Sequence, residues 1–142
     1  MAFILGVDLG EKRIGIAIAD DVTKIATPLK TIIVHNRKEL LAGISKLVTE
    51  YHSTKIVVGL PKTLKGDIGP AAQKIMETVD WLKTQLSQQD WVFWDERLSS
   101  QEVERILLEA DLSRERRKEV RDQLAAQRIL QNYLDFHRNV PS

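Results

Sequence analysis

The sequence predicts an α/β domain in which helices pack on a mixed sheet of five strands. Two apolar segments near the N-terminus are joined by the short link GEKR, which is typical of an antiparallel hairpin. Two later apolar segments, residues 56–60 and 91–94, each follow a segment with helical periodicity, so parallel pairing is expected there. A chain of 142 residues suits one domain, which we place at residues 1–142.

The predicted strands are short apolar segments bounded by turn residues or proline. They comprise residues 3–8, 13–19, 29–34, 56–60 and 91–94. The third strand is expected to begin after Pro28, and Pro61 is expected to end the fourth. Proline has no amide hydrogen to donate to a sheet, so it favours the ends of strands.

The first two helices follow from apolar side chains at helical spacing. One is predicted over residues 37–51, and a second runs from Pro70 to about Leu86. Proline suits the first turn of a helix, where an amide hydrogen is not needed.

The remaining helices complete the order β-β-β-α-β-α-β-α-α. Ser99 followed by Glu102 is a capping-box pattern that predicts a third helix. Ser113 is expected to cap a short basic helix, and the last helix is expected from about Arg121 to His137.

The composition excludes several classes of protein. The absence of cysteine excludes disulfides, thiolate chemistry and cysteine-based zinc sites. The sequence contains no apolar run of ~18 residues, the length that would predict a membrane span. The N-terminus also lacks the basic start of a signal peptide. We therefore expect a cytoplasmic protein without membrane contact. Because the formal net charge of the chain is only +1, any contact with nucleic acid needs a local basic patch.

Three acidic side chains are predicted to meet at the carboxyl edge of the sheet. Asp8 ends the first strand, Glu96 follows the last strand, and Asp122 begins a helical stripe of apolar residues. That stripe comprises Ala126, Ile129, Tyr133 and Phe136. Carboxylates this close would repel one another unless a cation lay between them, and Mg²⁺ or Mn²⁺ suits such an oxygen-rich site.

Each acidic residue also has a simpler interpretation. Asp8 could begin a turn, Glu96 could form an ion pair with Arg97, and Asp122 could be a negative charge near the N-terminus of a helix. Spacing alone does not decide between these interpretations and a shared catalytic metal site.

Positive charge is distributed unevenly along the chain. Residues 113–128 contain six basic and three acidic side chains, a local charge of +3. We predict a basic rim that binds phosphates around the acidic centre. Its candidate residues are Lys12, Arg13, Lys62, Lys65, Arg97, Arg114 and Arg117. The alternative is a solvated charged surface.

Four segments together resemble the YqgF/RuvX family of Holliday-junction resolvases and pre-16S rRNA processing nucleases. They are VDLGEKRIGIAIAD, VVGLPKTLKGDIGP, DERLSS and RDQLAAQRILQNYL. The resemblance implies a ribonuclease H-like fold, divalent-metal phosphodiester cleavage and a bacterial cytoplasmic setting. The acidic set of the family falls on Asp8, Glu96 and Asp122. Two departures are Lys65-Gly66, where the family often has Asp-Gly, and Trp94, where it often has His.

The leading hypothesis is a hydrolase: a metal-dependent endonuclease that processes pre-16S rRNA in ribosome biogenesis or resolves junctions in DNA recombination. Its partner would be pre-rRNA or branched DNA, and the protein would be a monomer or homodimer. One alternative is a non-catalytic nucleic-acid-binding module on the same fold. Another is an actin-like or sugar-kinase ATPase, because DLGEKRIGIAIAD also resembles a phosphate-binding hairpin, although that architecture needs two domains.

Overall fold

The computed structural model describes residues 2–63, 65–95 and 113–138. Its centre is a five-stranded sheet in the order β3-β2-β1-β4-β5. The strands are β1 (Phe3–Leu9), β2 (Arg13–Asp20), β3 (Ala26–Ile33), β4 (Ser53–Leu60) and β5 (Asp90–Asp95). The β1–β2 and β2–β3 pairs are antiparallel, whereas β4 is parallel to both β1 and β5. The predicted mixed sheet is therefore confirmed.

Three helices are described. They are α1 (Arg37–Tyr51), α2 (Pro70–Gln85) and α3 (Arg114–Arg138). The Asn36 side chain caps α1 by accepting a hydrogen bond from the Glu39 amide at 2.9 Å. Pro70 opens α2, as predicted. No helix within the described ranges is both long enough and apolar enough for a membrane crossing.

The two faces of the sheet are packed differently. Branched side chains of β1, β2 and β4 form a core with α1 and α2, and this core includes Leu5, Val7, Ile16, Ile56 and Val58. The other face carries smaller residues such as Ala17 and Ala19 beneath α3. This alternation along each strand is the period of two that the sequence shows.

The third strand begins earlier than predicted, at Ala26, and includes Pro28. Proline is tolerated there because β3 lies at the edge of the sheet and its register with β2 is irregular. Lys30 pairs with Ile16, and Pro28 pairs with Ala17, so Leu29 is left between the two pairs.

The prediction of two separate C-terminal helices is wrong, because α3 is continuous from Arg114. The Ser113 hydroxyl accepts a hydrogen bond from the Arg116 amide at 3.2 Å, so Ser113 caps this one long helix. The helix predicted from Ser99 lies outside the described residues.

The apolar stripe of α3 also differs from the prediction at its end. Ala126, Ile129 and Tyr133 are buried as expected, and Leu130 and Leu134 continue the stripe. Phe136 is 62% exposed and does not belong to this core. Its ring packs against Trp94 instead, at 5.4 Å between ring centroids.

Candidate functional site

Asp8 lies on the face of β1 that α3 covers. Its neighbours in the strand alternate, since Leu5 and Val7 pack in the core under α1 and α2 while Ile4 packs beneath α3. The partner of Asp8 on β2 is Gly15, and the Val7–Val58 pair places Gly59 beside it on β4. Neither flanking position has a side chain, and on the Gly15 side the backbone of α3 occupies the space that a side chain would fill.

The close approach of α3 to the sheet brings Asp122 to Asp8. A Cβ atom on Gly15 would overlap the backbone carbonyl of Asp122, and one on Gly6 would lie 2.7 Å from the Leu130 Cβ atom. Both glycines are needed because any side chain would push the helix away. The hairpin, the glycines and the helix thus place two carboxylates together from distant parts of the chain.

The two acidic side chains repel each other. Burial, and secondarily the negative charge of Asp122, raise the pKa of the Asp8 carboxyl from its ordinary value of 3.8 to about 6. Keeping Asp8 ionised at neutral pH therefore costs folding free energy. A positive ligand between the two carboxylates would remove this cost.

Arg13 binds the second carboxylate directly. Its Nε atom donates a hydrogen bond to Asp122 Oδ2 at 2.8 Å, although the residues are 109 positions apart. Arg13 opens β2 and shares a strand face with Gly15. The Arg13 Nη2 atom is buried and has no hydrogen-bond partner within the described part of the chain. Arg13 thus orients Asp122 while one guanidinium nitrogen remains available to an acceptor.

The structure brings together two of the three predicted acidic residues, Asp8 and Asp122. Glu96 and its neighbour Arg97 lie outside the described residues. Within the described ranges, no three His, Cys, Asp or Glu side chains form a metal-binding group. A third carboxylate from Glu96 therefore stays a prediction.

The candidate phosphate-binding residues have varied surroundings. Lys12, Lys65 and Arg114 are exposed, whereas Lys62 and Arg117 are half-buried. Their contact with phosphates stays a prediction, as does that of Arg13. Sequence reasoning placed Arg13 only in this set and missed its bond to Asp122. The period of two in β2 could have put Arg13 on the face of Gly15, but nothing in the sequence indicates its partner.

A separate cleft of about 510 Å³ lies on the opposite face of the sheet, between the N-terminal parts of α1 and α2. Its lining is largely apolar, and an ion pair between Lys74 Nζ and Glu11 Oε1, at 3.6 Å, lies at its margin. Neither Asp8 nor Asp122 lines it. The acidic pair is thus a distinct site at the edge of the sheet.

A family model described as "RuvX: Holliday junction resolvase" matches residues 2–136. The chain belongs to the RuvX family. This membership confirms the resemblance carried by the four sequence segments.

Curated relatives match nearly the whole chain. Two are named "Putative pre-16S rRNA nuclease". The relative from Thermoanaerobacter pseudethanolicus is 47% identical, covering 96% of this chain and 98% of its own. The relative from Clostridioides difficile is 43% identical, covering 96% of each chain.

Solved structures share the fold at low sequence identity. Thermus thermophilus RuvC in complex with a Holliday junction substrate has a TM-score of 0.60 at 11% identity and covers 100% of this chain and 99% of its own. The fowlpox virus resolvase in complex with junction DNA has a TM-score of 0.58 at 12% identity, covering 94% of this chain and 97% of its own. The fold is ribonuclease H-like, as the resemblance implied.

We predict that Gly15→Ala displaces α3 and destabilises the protein by roughly 2 kcal/mol or more, because the new methyl group overlaps the Asp122 backbone. Gly43→Ala is the matched control: its Cβ atom would meet only the Ile32 side chain, at 3.2 Å. The higher helix propensity of alanine relative to glycine should offset the free-energy cost of that contact. Chemical denaturation of both variants measures the difference. Equal stabilities would contradict the close-packing account.

We also predict an unusual pH dependence from Asp8. Between its ordinary pKa of 3.8 and its folded pKa of about 6, the folded protein binds a proton that the unfolded chain releases. The contribution of Asp8 to the free energy of unfolding therefore decreases as pH rises through this range. Asp8→Asn should be more stable than wild type at pH 7, by roughly 1–3 kcal/mol, with the gain disappearing near pH 4.

The control for this pH experiment is Asp80→Asn, at an exposed position of α2. Melting curves of the three proteins from pH 4 to 7, in a chelating buffer, are compared. A pH-independent difference between Asp8→Asn and wild type would show that burial of Asp8 does not disfavour its charge.

Proposed function

We propose that this protein is a metal-dependent endonuclease that hydrolyses phosphodiester bonds in nucleic acid. The observation that carries the proposal is the pair of carboxylates at Asp8 and Asp122, where burial and then the negative charge of Asp122 raise the pKa of Asp8. The comparisons support it in two ways: the chain belongs to a family described as Holliday junction resolvase, and its relatives are named "Putative pre-16S rRNA nuclease".

The donor set fits Mg²⁺ or Mn²⁺. Asp8 and Asp122 offer carboxylate oxygens, which these hard cations prefer, and the unfavourable proximity of the carboxylates is what a cation relieves. Asp8 and Asp122 would hold the ion, with Glu96 proposed as the third ligand. When bound, the metal would activate water and stabilise the leaving oxygen.

The protein's own contribution is a rigid arrangement of these groups. Asp8 is fixed on a central strand, and Gly15 beside it on β2 lets α3 hold Asp122 against the sheet. Arg13 holds Asp122 through the Oδ2 atom, which leaves Oδ1 free of this bond. Orientation of a metal ligand by a second residue is a common way to strengthen a metal site.

A basic rim would hold the phosphates on either side of the scissile bond. We assign this role to Lys12, Lys62, Lys65, Arg97, Arg114 and Arg117. Phosphate binding of this kind is independent of sequence and weakens with salt. Specific cleavage would then depend on the shape of the substrate and on contacts beyond the phosphates.

The comparisons support two candidate substrates. Relatives that are 43% and 47% identical are named "Putative pre-16S rRNA nuclease", which favours rRNA processing. We place this processing at the 5′ end of pre-16S rRNA, in the bacterial cytoplasm. The family description favours resolution of four-way DNA junctions. A four-way junction has two-fold symmetry, so that activity would require a homodimer, whereas a processing ribonuclease could act as a monomer.

The test compares wild type, Asp8→Asn, Asp122→Asn and the exposed control Asp80→Asn. Each protein is incubated with a precursor rRNA fragment and with a four-way junction, with and without Mn²⁺. We expect Mn²⁺-dependent cleavage by wild type and the control, and a loss of at least about 100-fold in both site variants, because each lacks one metal ligand.

The outcomes separate an enzyme from a binding module. Both site variants should remain folded and should still bind nucleic acid in a chelating buffer. Nucleic-acid binding without cleavage by wild type would favour the non-catalytic module. Undiminished cleavage by folded Asp8→Asn would refute the proposed active site.

A further inference from the structure

Trp94 lies in the same transverse row of the sheet as Asp8. Gly59 on β4 pairs with Trp94 on β5, and the β1–β4 register places Asp8 beside Gly59 on the other side. Adjacent strands are about 4.8 Å apart, so the two backbones are separated by roughly 10 Å. The position between them is a glycine and supplies no side chain.

Trp94 and Asp8 also share a face of the sheet. Along β5, Trp91 and Phe93 pack against the core under α1 and α2, whereas Val92 and Trp94 pack against the cluster under α3. Because β5 is an edge strand, this row ends at the Trp94 indole. A nucleic-acid strand that crosses the sheet at Asp8 would therefore meet an aromatic residue at that edge.

Trp94 belongs to a group of four rings, which we call the aromatic cluster: Trp94, Tyr133, Phe136 and His137. The centroid of the Trp94 ring is 5.8 Å from that of Tyr133 and 5.4 Å from that of Phe136. The Tyr133 and His137 rings are 4.4 Å apart. Lys55 Nζ donates a hydrogen bond to the Tyr133 hydroxyl at 2.8 Å, which fixes the buried end of the cluster.

The outer part of the cluster has no role in the core. Tyr133 is buried and stabilises the packing of α3, but Phe136 is 62% exposed and His137 is also exposed. Packing in the core therefore explains Trp94 and Tyr133, but it does not explain the exposed rings of Phe136 and His137. Phe136 lies 14 residues after Asp122 on α3, which is roughly 21 Å along the helix, so its ring could meet a base a few nucleotides away from a phosphate at Asp122. Exposed aromatic rings at such a position are suited to stacking with unpaired bases.

We propose that the aromatic cluster is a stacking surface for an unpaired nucleobase of the strand whose phosphate lies at Asp8 and Asp122. This inference rests on the proposed function and adds a structural preference to it, namely unpaired nucleotides near the cleaved bond. The basic rim would attract any nucleic acid, whereas the aromatic cluster would select strands whose bases are free to stack.

The test is Phe136→Ala, since Phe136 is exposed and its removal should leave the fold intact. Binding of a labelled single-stranded oligothymidine is measured by fluorescence anisotropy in a chelating buffer, so that cleavage does not interfere. We expect a loss of affinity of roughly 5- to 100-fold, the range for one lost base–aromatic contact. The slope of affinity against salt should not change, because no ion pair is removed.

A second ligand isolates the base. An abasic oligomer of the same length has the same phosphates and no bases, so wild type and Phe136→Ala should bind it equally. Ile25→Ala is the matched control, because Ile25 is an apolar residue of similar exposure, 60%, between β2 and β3. Phe136→Trp retains an aromatic ring and should bind oligothymidine at least as tightly as wild type.

Several results would overturn the inference. Unchanged affinity of Phe136→Ala for oligothymidine would remove the stacking role, and so would equal losses for the normal and abasic oligomers. A wild-type dimer that becomes a monomer in Phe136→Ala during sedimentation, with affinity unchanged, would make the cluster a contact between copies. Failure of wild type to bind either oligomer would count against the proposed function itself and remove the basis of this inference with it.

Discussion

The close approach of α3 to the sheet is the constraint on which the rest of the site depends. Gly15 allows the Asp122 backbone to lie directly on β2, and Gly6 allows Leu130 to do the same on β1. A helix at an ordinary distance would hold Asp122 away from Asp8. The same approach places two negative charges together, so the packing that forms the site also reduces stability at neutral pH. Arg13 offsets part of this repulsion from the side of Asp122.

One face of the sheet therefore carries a core of branched apolar residues, and the other carries the acidic pair. Branched residues such as Ile16 and Val58 fill the core beneath α1 and α2, where no ionisable group is required. On the α3 face, Gly15 and Gly6 let the helix lie directly on the strands, which places Asp122 beside the carboxylate of a central strand. The dense core on the opposite face holds β1, and with it Asp8, in a fixed position.

Local patterns were enough to predict most of the fold. Alternation in RIGIAIAD, the short hairpin link and Pro70 each indicated an element that the structure contains. Errors arose where tertiary context decided the outcome. Pro28 is accepted inside β3 because that strand is at an edge, and Ser113 caps a helix that continues past Arg121. Neither feature can be deduced from neighbouring residues alone.

The candidate site was only partly predictable for the same reason. Asp8 was identified from its position at a strand end, and Asp122 from its place on an apolar stripe. The bond between Arg13 and Asp122 joins residues 109 positions apart, and no local pattern records it. The exposure of Phe136 could not be predicted either. Helical spacing places Phe136 on the apolar stripe, but it does not show whether the sheet still covers that end of the helix.

The central claim is that Asp8 and Asp122 share a divalent cation. It is tested most directly by anomalous diffraction from crystals of the protein grown with Mn²⁺. We expect an anomalous peak about 2.0–2.3 Å from carboxylate oxygens of both residues, the distance range of oxygen ligands for such ions. We also expect this peak to disappear in Asp122→Asn crystals grown in the same way. An Mn²⁺ ion bound elsewhere, with neither carboxylate as a ligand, would contradict the account.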